Sequence, residues 1–255
     1  MAKVYIDPGH GGSDPGAVKY IIERDVNLVM ALACRDYLNA NGVSTKMSRT
    51  SNSTDTSINS MAREANNWGA DLVISIHNNA GGGDGFEVYH TVGGGRGKTL
   101  AQNIEAEVKK IGQNSRGLKT RRDTDGTDYY GMIRLTNAPA VICEGVFVDN
   151  ATDVQIADTV DEQRAFGYAY AKGILKTLGI ADNGLPGASG SAATTGAFKV
   201  KVTIKDLYIR TGPGTSYGKK GFIKPGVYTI VETRSGWGRL KSGAGWIYLS
   251  YAVRI

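Results

Sequence analysis

VYIDPGHGG, residues Val4–Gly12, starts as an apolar run and stops at an aspartate, a proline, three glycines and a histidine. A short apolar run closed by turn residues reads as a buried strand. His10 is one of only three histidines in 255 residues. Its place in a glycine-rich turn leaves three roles open: a metal ligand, part of a phosphate loop, or an ordinary turn residue.

Beyond this turn, strand and helix patterns alternate. Residues 25–39 put Val26, Val29, Met30, Ala33 and Tyr37 on one helical face, and residues 43–48 return as a strand. Residues 56–68 carry Ile58, Met61, Ala62 and Ala65 at helical spacing, 72–76 form an apolar strand and 86–90 another. A helix over 98–111, a strand over 140–143 and a helix over 162–178 complete the series. Such alternation implies an α/β domain with a mostly parallel sheet flanked by helices. Ligands of such sheets bind beyond the carboxyl ends of the strands.

The rhythm breaks at NGLPGASGSAATTGA, residues 183–197, which carries no charge and little to bury. It reads as a flexible linker. After it come short strands and tight turns, LYIRTGPGTSYG, GVYTIVE, SGWGRLK and GAGWIYLS, with no helical period. They predict a small antiparallel barrel. The expected division is therefore residues 1–180, a linker over 181–197, and a second domain over 198–255.

Charge divides at the same place. Residues 198–255 hold 11 Lys and Arg against Asp206 and Glu232, while residues 1–180 carry a net charge of −2. The tail is suited to a polyanion: nucleic acid, an anionic lipid surface or an anionic cell-wall polymer. No run approaches the roughly 20 apolar residues of a membrane span, and Met1 leads directly into strand-like sequence. Synthesis in the cytoplasm without a signal peptide is expected. Cys34 and Cys143 are too few for a disulfide framework and read as buried thiols.

Three chemically active residues stand where apolar strands run out: His10 after the first strand, His77 at the end of LVISIH, and Glu144 at the end of AVICE. Glu23 lies just before the first long helix. Two imidazoles and a carboxylate make an open zinc site, since catalytic zinc takes three protein ligands and leaves a position for water. Zinc lowers the pKa of that water to about 7, and a second carboxylate then takes its proton. Glu144, costly to bury at the end of an apolar strand, suits that task. The opposing reading is that each histidine is structural.

IDPGHGG, Glu23 within IIERDVNL, SIHNN and AVICEGVFVDN, in that order, resemble the motifs of the zinc-dependent N-acetylmuramoyl-L-alanine amidases, over residues 4–178. The resemblance implies zinc on His10, Glu23 and His77, with Glu144 as the catalytic general base. It implies hydrolysis, by zinc-activated water, of the amide between N-acetylmuramic acid and the L-alanine of the peptidoglycan stem peptide. The tail, in LYIRTGPGTSYGKKGFIKPGVYTIVE and GWGRLKSGAGWIYLSYAVRI, resembles bacterial SH3 domains that bind cell walls. Its exposed aromatics are expected among Tyr208, Tyr217, Trp237 and Trp246, against the alternative that they fill the barrel core.

Together these imply a peptidoglycan hydrolase of phage endolysin type. Its partner is peptidoglycan or a cell-wall polymer, with no nucleic acid and no membrane insertion. A bacterial autolysin and a non-catalytic wall-binding protein are the alternatives. Other signals are set aside. VGGGRGKT, residues 92–99, has Val92 where a phosphate loop needs glycine. His90 reads as structural or substrate-facing, RRDTDGTD as a solvated loop without the distal glutamate of a calcium site, and GGGDG as a turn at the cleft rim.

Overall fold

The computed structural model describes residues 1–54, 56–185, 197–205, 207–214, 217–234 and 236–255. Of the expected linker over 181–197, residues 186–196 lie outside the described residues. The chain forms two compact units: Met1–Asp158 with Glu162–Asp182, and Thr159–Asp161 with Asn183–Ile255.

In the first unit the strands are β1 (Lys3–Pro8), β2 (Ser44–Met47), β3 (Leu72–Asn79), β4 (Phe86–His90), β5 (Ser115–Lys119) and β6 (Ala140–Phe147). The helices are α1 (Glu23–Ala40), α2 (Ile58–Trp68), α3 (Gly95–Lys110), α4 (Gly131–Arg134) and α5 (Val160–Leu178). One six-stranded sheet has the order β2-β1-β3-β6-β4-β5. Neighbours are parallel except β4 and β6, which run antiparallel. The central strands are buried on both faces, as their continuous apolar runs require.

Pleating sends alternate residues to opposite faces. Tyr5, Val73 and Ile142 pack with Met61 and Ala65 of α2 and with Met132 and Ile133 of α4. On the other face Gly167 and Gly173 of α5 lie against Met30 of α1 and Ile104 of α3. Helices thus cover both faces. Residues 44 and 115 begin the two outermost strands, so the carboxyl ends of β1, β3 and β6 lie towards the centre of one sheet edge.

Several expectations change. β3 continues to Asn79 and β6 to Phe147, so His77 and Glu144 are not the last residues of their strands. Burial does not stop at these residues, since Asn78, Val146 and Phe147 beyond them are buried too. Pairing continues because Asn78 is satisfied there, its Oδ1 accepting the Val146 N–H at 3.0 Å and its Nδ2 donating to Asn27 at 2.8 Å. Glu23 is the first residue of α1, with no side-chain cap before it. Cys34 and Cys143 are free and buried, and burial raises both thiol pKa values. No helix among the described residues is long and apolar enough to cross a membrane.

The second unit is a seven-stranded antiparallel sheet: β7 (Phe198–Val202), β8 (Tyr208–Arg210), β9 (Lys219–Phe222), β10 (Gly226–Arg234), β11 (Trp237–Leu240), β12 (Trp246–Tyr248) and β13 (Ala252–Arg254). Its order is β13-β7-β10-β11-β12-β8-β9. Val200, Val202, Leu207, Ile230 and Ile247 centre its core. Trp237 and Trp246 are 7% and 8% exposed, so both tryptophans fill space instead of facing solvent. Tyr217 is exposed, while Tyr208 is half-buried and stacks on Phe222 with ring centroids 4.2 Å apart.

Candidate metal centre

β1 leaves the sheet at Pro8, and the following loop stays tied to β3 because the Gly9 N–H donates to the Ile76 carbonyl at 2.9 Å. His10 adopts φ 63°, a left-handed conformation uncommon for a side chain other than glycine. Such conformations persist where the surroundings over-determine them. Arg49 is one such constraint. Buried, it donates from Nε to the Pro8 carbonyl at 2.9 Å and from Nη2 to the carbonyls of Gly9 at 2.8 Å and Arg24 at 3.0 Å. Arg49→Ala would strip those carbonyls of a charged donor and is expected to destabilise the protein by about 3–5 kcal/mol, measured by denaturant unfolding.

The loop closes tightly over the site. A Cβ on Gly9 would fall inside the His77 imidazole, and one on Gly16, at φ +65°, would lie 2.6 Å from Glu23 Oε2 and 2.7 Å from His10 Cδ2. Gly9→Ala is therefore expected to displace His77 and cost about 1–3 kcal/mol of stability, read from the same unfolding curves.

Three side chains distant in sequence converge here. His10 Nε2 and His77 Nδ1 each lie 3.1 Å from the same oxygen, Glu23 Oε1. One oxygen or nitrogen from each of His10, Glu23 and His77, the atoms that could bind a metal, lies within 4.8 Å of the others, and the two rings meet nearly edge to face at 5.0 Å. His10 Nδ1 is 2.7 Å from Asp14 Oδ2, a carboxylate that orients the ring and leaves Nε2 to face the cluster. Glu23 is held by backbone donors, Oε2 accepting the Ala17 N–H at 2.9 Å and Oε1 the Asn78 N–H at 3.1 Å.

Electrostatics match this geometry. Burial would raise the Glu23 carboxyl, but hydrogen bonds from His10 and His77 outweigh it and hold the group well below the usual carboxylate range. The hydrogen bond to Glu23 lifts His10 to about 9 against the opposing effect of burial, with Asp14 adding to the rise. An anionic group flanked by two imidazoles is a place where positive charge is stabilised.

Glu144 stands beside the cluster, opposite His77 in the β3–β6 register. Its Oε2 is shut off from solvent and has no hydrogen-bond partner among the described residues. Burial raises its carboxyl to about 7. It lines, with His10, Glu23, His77, Tyr130 and Met132, a cavity of about 480 Å³. A carboxyl that titrates near neutrality beside a cation-seeking trio is suited to proton transfer.

The sequence reading does not find Asp7, Asp14, Asn27, Arg49, Asn78 or Tyr130. Asp7, buried under the cavity, accepts from the hydroxyls of Ser48 and Ser75, each at 2.7 Å. Only Asp14, four residues after His10, carries a local signal, since a carboxylate beside a ligand histidine is its usual support. The residues set aside lie elsewhere. His90 is buried with Nδ1 2.8 Å from the Thr91 carbonyl. Gly81 and Gly82 donate their N–H groups to Asp149. In the exposed RRDTDGTD loop Asp125 accepts from Thr127 and Asp128 from Thr91 and Val92.

A family model described as N-acetylmuramoyl-L-alanine amidase matches residues 4–176. The sporulation-specific N-acetylmuramoyl-L-alanine amidase of Bacillus subtilis is 36% identical over 212 residues, 81% of this chain and 79% of that protein. An endolysin of Bacillus phage SPP1 is 32% identical over 187 residues, 69% of this chain and 66% of that one. Among solved structures, the catalytic domain of the amidase CwlV from Bacillus (Paenibacillus) polymyxa superposes with a TM-score of 0.64 at 28% identity, covering 71% of this chain and 100% of that chain. Cwp6 from Clostridium difficile gives 0.67 at 34% identity, covering 69% of this chain and 29% of that one. With the family match running through every strand and helix that builds the His10–Glu23–His77 cluster, the chain belongs to the N-acetylmuramoyl-L-alanine amidase family.

Proposed function

We propose that His10, Glu23 and His77 hold a zinc ion and that Glu144 is the general base of a peptidoglycan amidase. The reaction is cleavage of the amide between N-acetylmuramic acid and the L-alanine of the stem peptide. The observation that carries this reading is the convergence of two imidazoles and one carboxylate, within 4.8 Å, beside a buried carboxylate oxygen, Glu144 Oε2, with no hydrogen-bond partner among the described residues. Two nitrogens and one oxygen suit zinc, and three ligands keep a position open. When bound, zinc supplies Lewis acidity that polarises the amide carbonyl and makes water acidic near pH 7.

The chain's own groups do the rest. Asp14 fixes the His10 ring, and the N–H groups of Ala17 and Asn78 fix Glu23. Glu144 takes the proton of the attacking water on its free Oε2 and then delivers it to the departing amine nitrogen of L-alanine. The test is incubation with purified walls, with and without a chelator. New amino groups that vanish with chelator are expected. Reducing sugars would indicate glycan cleavage instead, and no release would favour a wall binder without turnover.

The second unit is read as an SH3-like wall-binding domain joined by the linker over 181–197. Its antiparallel sheet and its 11 Lys and Arg against two acids support attraction to an anionic wall polymer. Tethering raises the catalytic unit's effective concentration at an insoluble substrate. Wall binding of the full chain is expected to weaken several-fold as salt rises from about 0.05 to 0.5 M in a pull-down, because screening shortens the reach of these charges.

Likeness to the SPP1 endolysin supports the phage endolysin reading, and likeness to the Bacillus subtilis enzyme supports the autolysin alternative. Expression in a susceptible host separates them. On the endolysin reading, lysis is expected only once the membrane is permeabilised.

A further inference from the structure

The sheet face that carries His77 and Glu144 continues beyond Glu144. Glu144 on β6 pairs in register with Glu87 on β4, and Glu87 with Gly117 on β5. A register shift between Phe86 and Glu87 brings the preceding Arg116 onto the same carboxylate, with Nε 2.6 Å from Glu87 Oε1. Lys119 Nζ lies 3.9 Å from that oxygen.

Aromatic contacts link the cavity to these cations. Tyr130, which lines the cavity, packs on Tyr89 at 4.9 Å and on Tyr129 at 5.2 Å. The Tyr89 hydroxyl donates to Glu87 at 3.4 Å, and the Arg121 guanidinium covers the Tyr129 ring at 3.6 Å. Three cations, Arg116, Lys119 and Arg121, thus lie on the side of these tyrosines away from Glu144, with the carboxylates of Glu87 and Asp84 near Arg116.

Their chemistry suits a carboxylate. Of the Arg116 nitrogens Glu87 engages Nε, and the guanidinium lies over the Phe147 ring at 5.3 Å, an arrangement that leaves the two terminal amino groups in the fork that grips a carboxylate. Distance then selects which one. From β6 to β5 is two strand spacings, roughly 10 Å. An extended peptide advances roughly 3.5 Å per residue, so the cations lie about two or three residues from the reacting amide. In the proposed reaction a peptide lies on one side of the amide, and a free carboxylate two or three residues along it would come within reach of these cations.

We infer that Arg116, Lys119 and Arg121 form a subsite for a stem-peptide carboxylate two or three residues beyond the cleaved amide, so that the enzyme distinguishes free from amidated peptides. The inference rests on the amidase reading above. The test compares two soluble muramoyl peptides, one with free carboxylates at the second and third residues and one amidated there. The wild type is expected to favour the free form about tenfold in kcat/KM. Arg116→Ala removes the partner of buried Glu87, so the double reversal Lys119→Glu with Arg121→Glu, at a half-buried and an exposed position, provides an independent variant. It is expected to abolish or invert the preference, mainly through KM. Equal wild-type rates on the two peptides, or an unchanged preference in the double reversal, would overturn the subsite while leaving the amidase reading intact. Absence of amine release from both peptides by the zinc-loaded wild type would overturn the amidase reading and the subsite with it.

Discussion

Glu144→Gln is expected to retain zinc at the wild-type ratio and to lose about 10²–10⁴-fold in kcat, the usual worth of a general base. The substitution preserves shape and adds no charge near His10, Glu23 or His77, so metal content measured on the pure protein should not change. What it removes is an oxygen that accepts and returns a proton. Glu144 Oε2 is available for that because nothing among the described residues occupies it. Its raised carboxyl, about 7, places the change between acid and base near neutrality. Wild-type activity that depends on the ionised base should therefore decline as pH falls through this region. Full lysis by the variant would remove Glu144 from the mechanism.

The same residue makes a stability prediction with a definite sign. Burial raises the folded carboxyl from 4.5 to about 7. The folded state thus holds a proton that the unfolded chain has released between those two pH values, and stability falls as pH rises through the interval. Below it both states are protonated and the penalty is absent. Above it the penalty is complete. Glu144→Gln should accordingly stabilise the chelator-treated protein by about 1–3 kcal/mol at pH 8, with the gain shrinking towards pH 4.5. A gain independent of pH would show that the carboxylate charge is not its source.

His77→Ala is expected to abolish zinc binding and lysis together. It takes away one of the three groups proposed to hold the ion and leaves buried Glu23 with His10 as its imidazole partner. Thermal unfolding separates loss of the ion from loss of the fold. Zinc at about a thousand times its dissociation constant should stabilise the wild type by about 4 kcal/mol. The variant's unfolding curve should not respond to zinc. Lysis that survives in His77→Ala would rule out the zinc centre as the source of activity.

Much of this protein is legible along the chain. The apolar runs ending near His10, His77 and Glu144 and the helical periodicity between them express local demands: a strand buried on both faces needs continuous apolar sequence, and a surface helix needs one apolar stripe. These patterns indicate the alternating strands and helices and the residues that carry chemistry. β5 escapes such reading because SRGLK holds a single apolar side chain, and α4 because its four residues are too few to display a period.

The sequence by itself determined which segments are buried and that two histidines and two glutamates stand near their ends. The tertiary structure decided the rest: the antiparallel seat of β4, the register that sets His77, Glu144 and Glu87 side by side, and the Arg49 anchor beneath the His10 loop. The physical reason is that burial is a property of each segment's own composition. Strand order and register minimise the free energy of the whole sheet, so they depend on partners 40 to 70 residues away, such as Arg49 for Gly9 and Glu144 for His77.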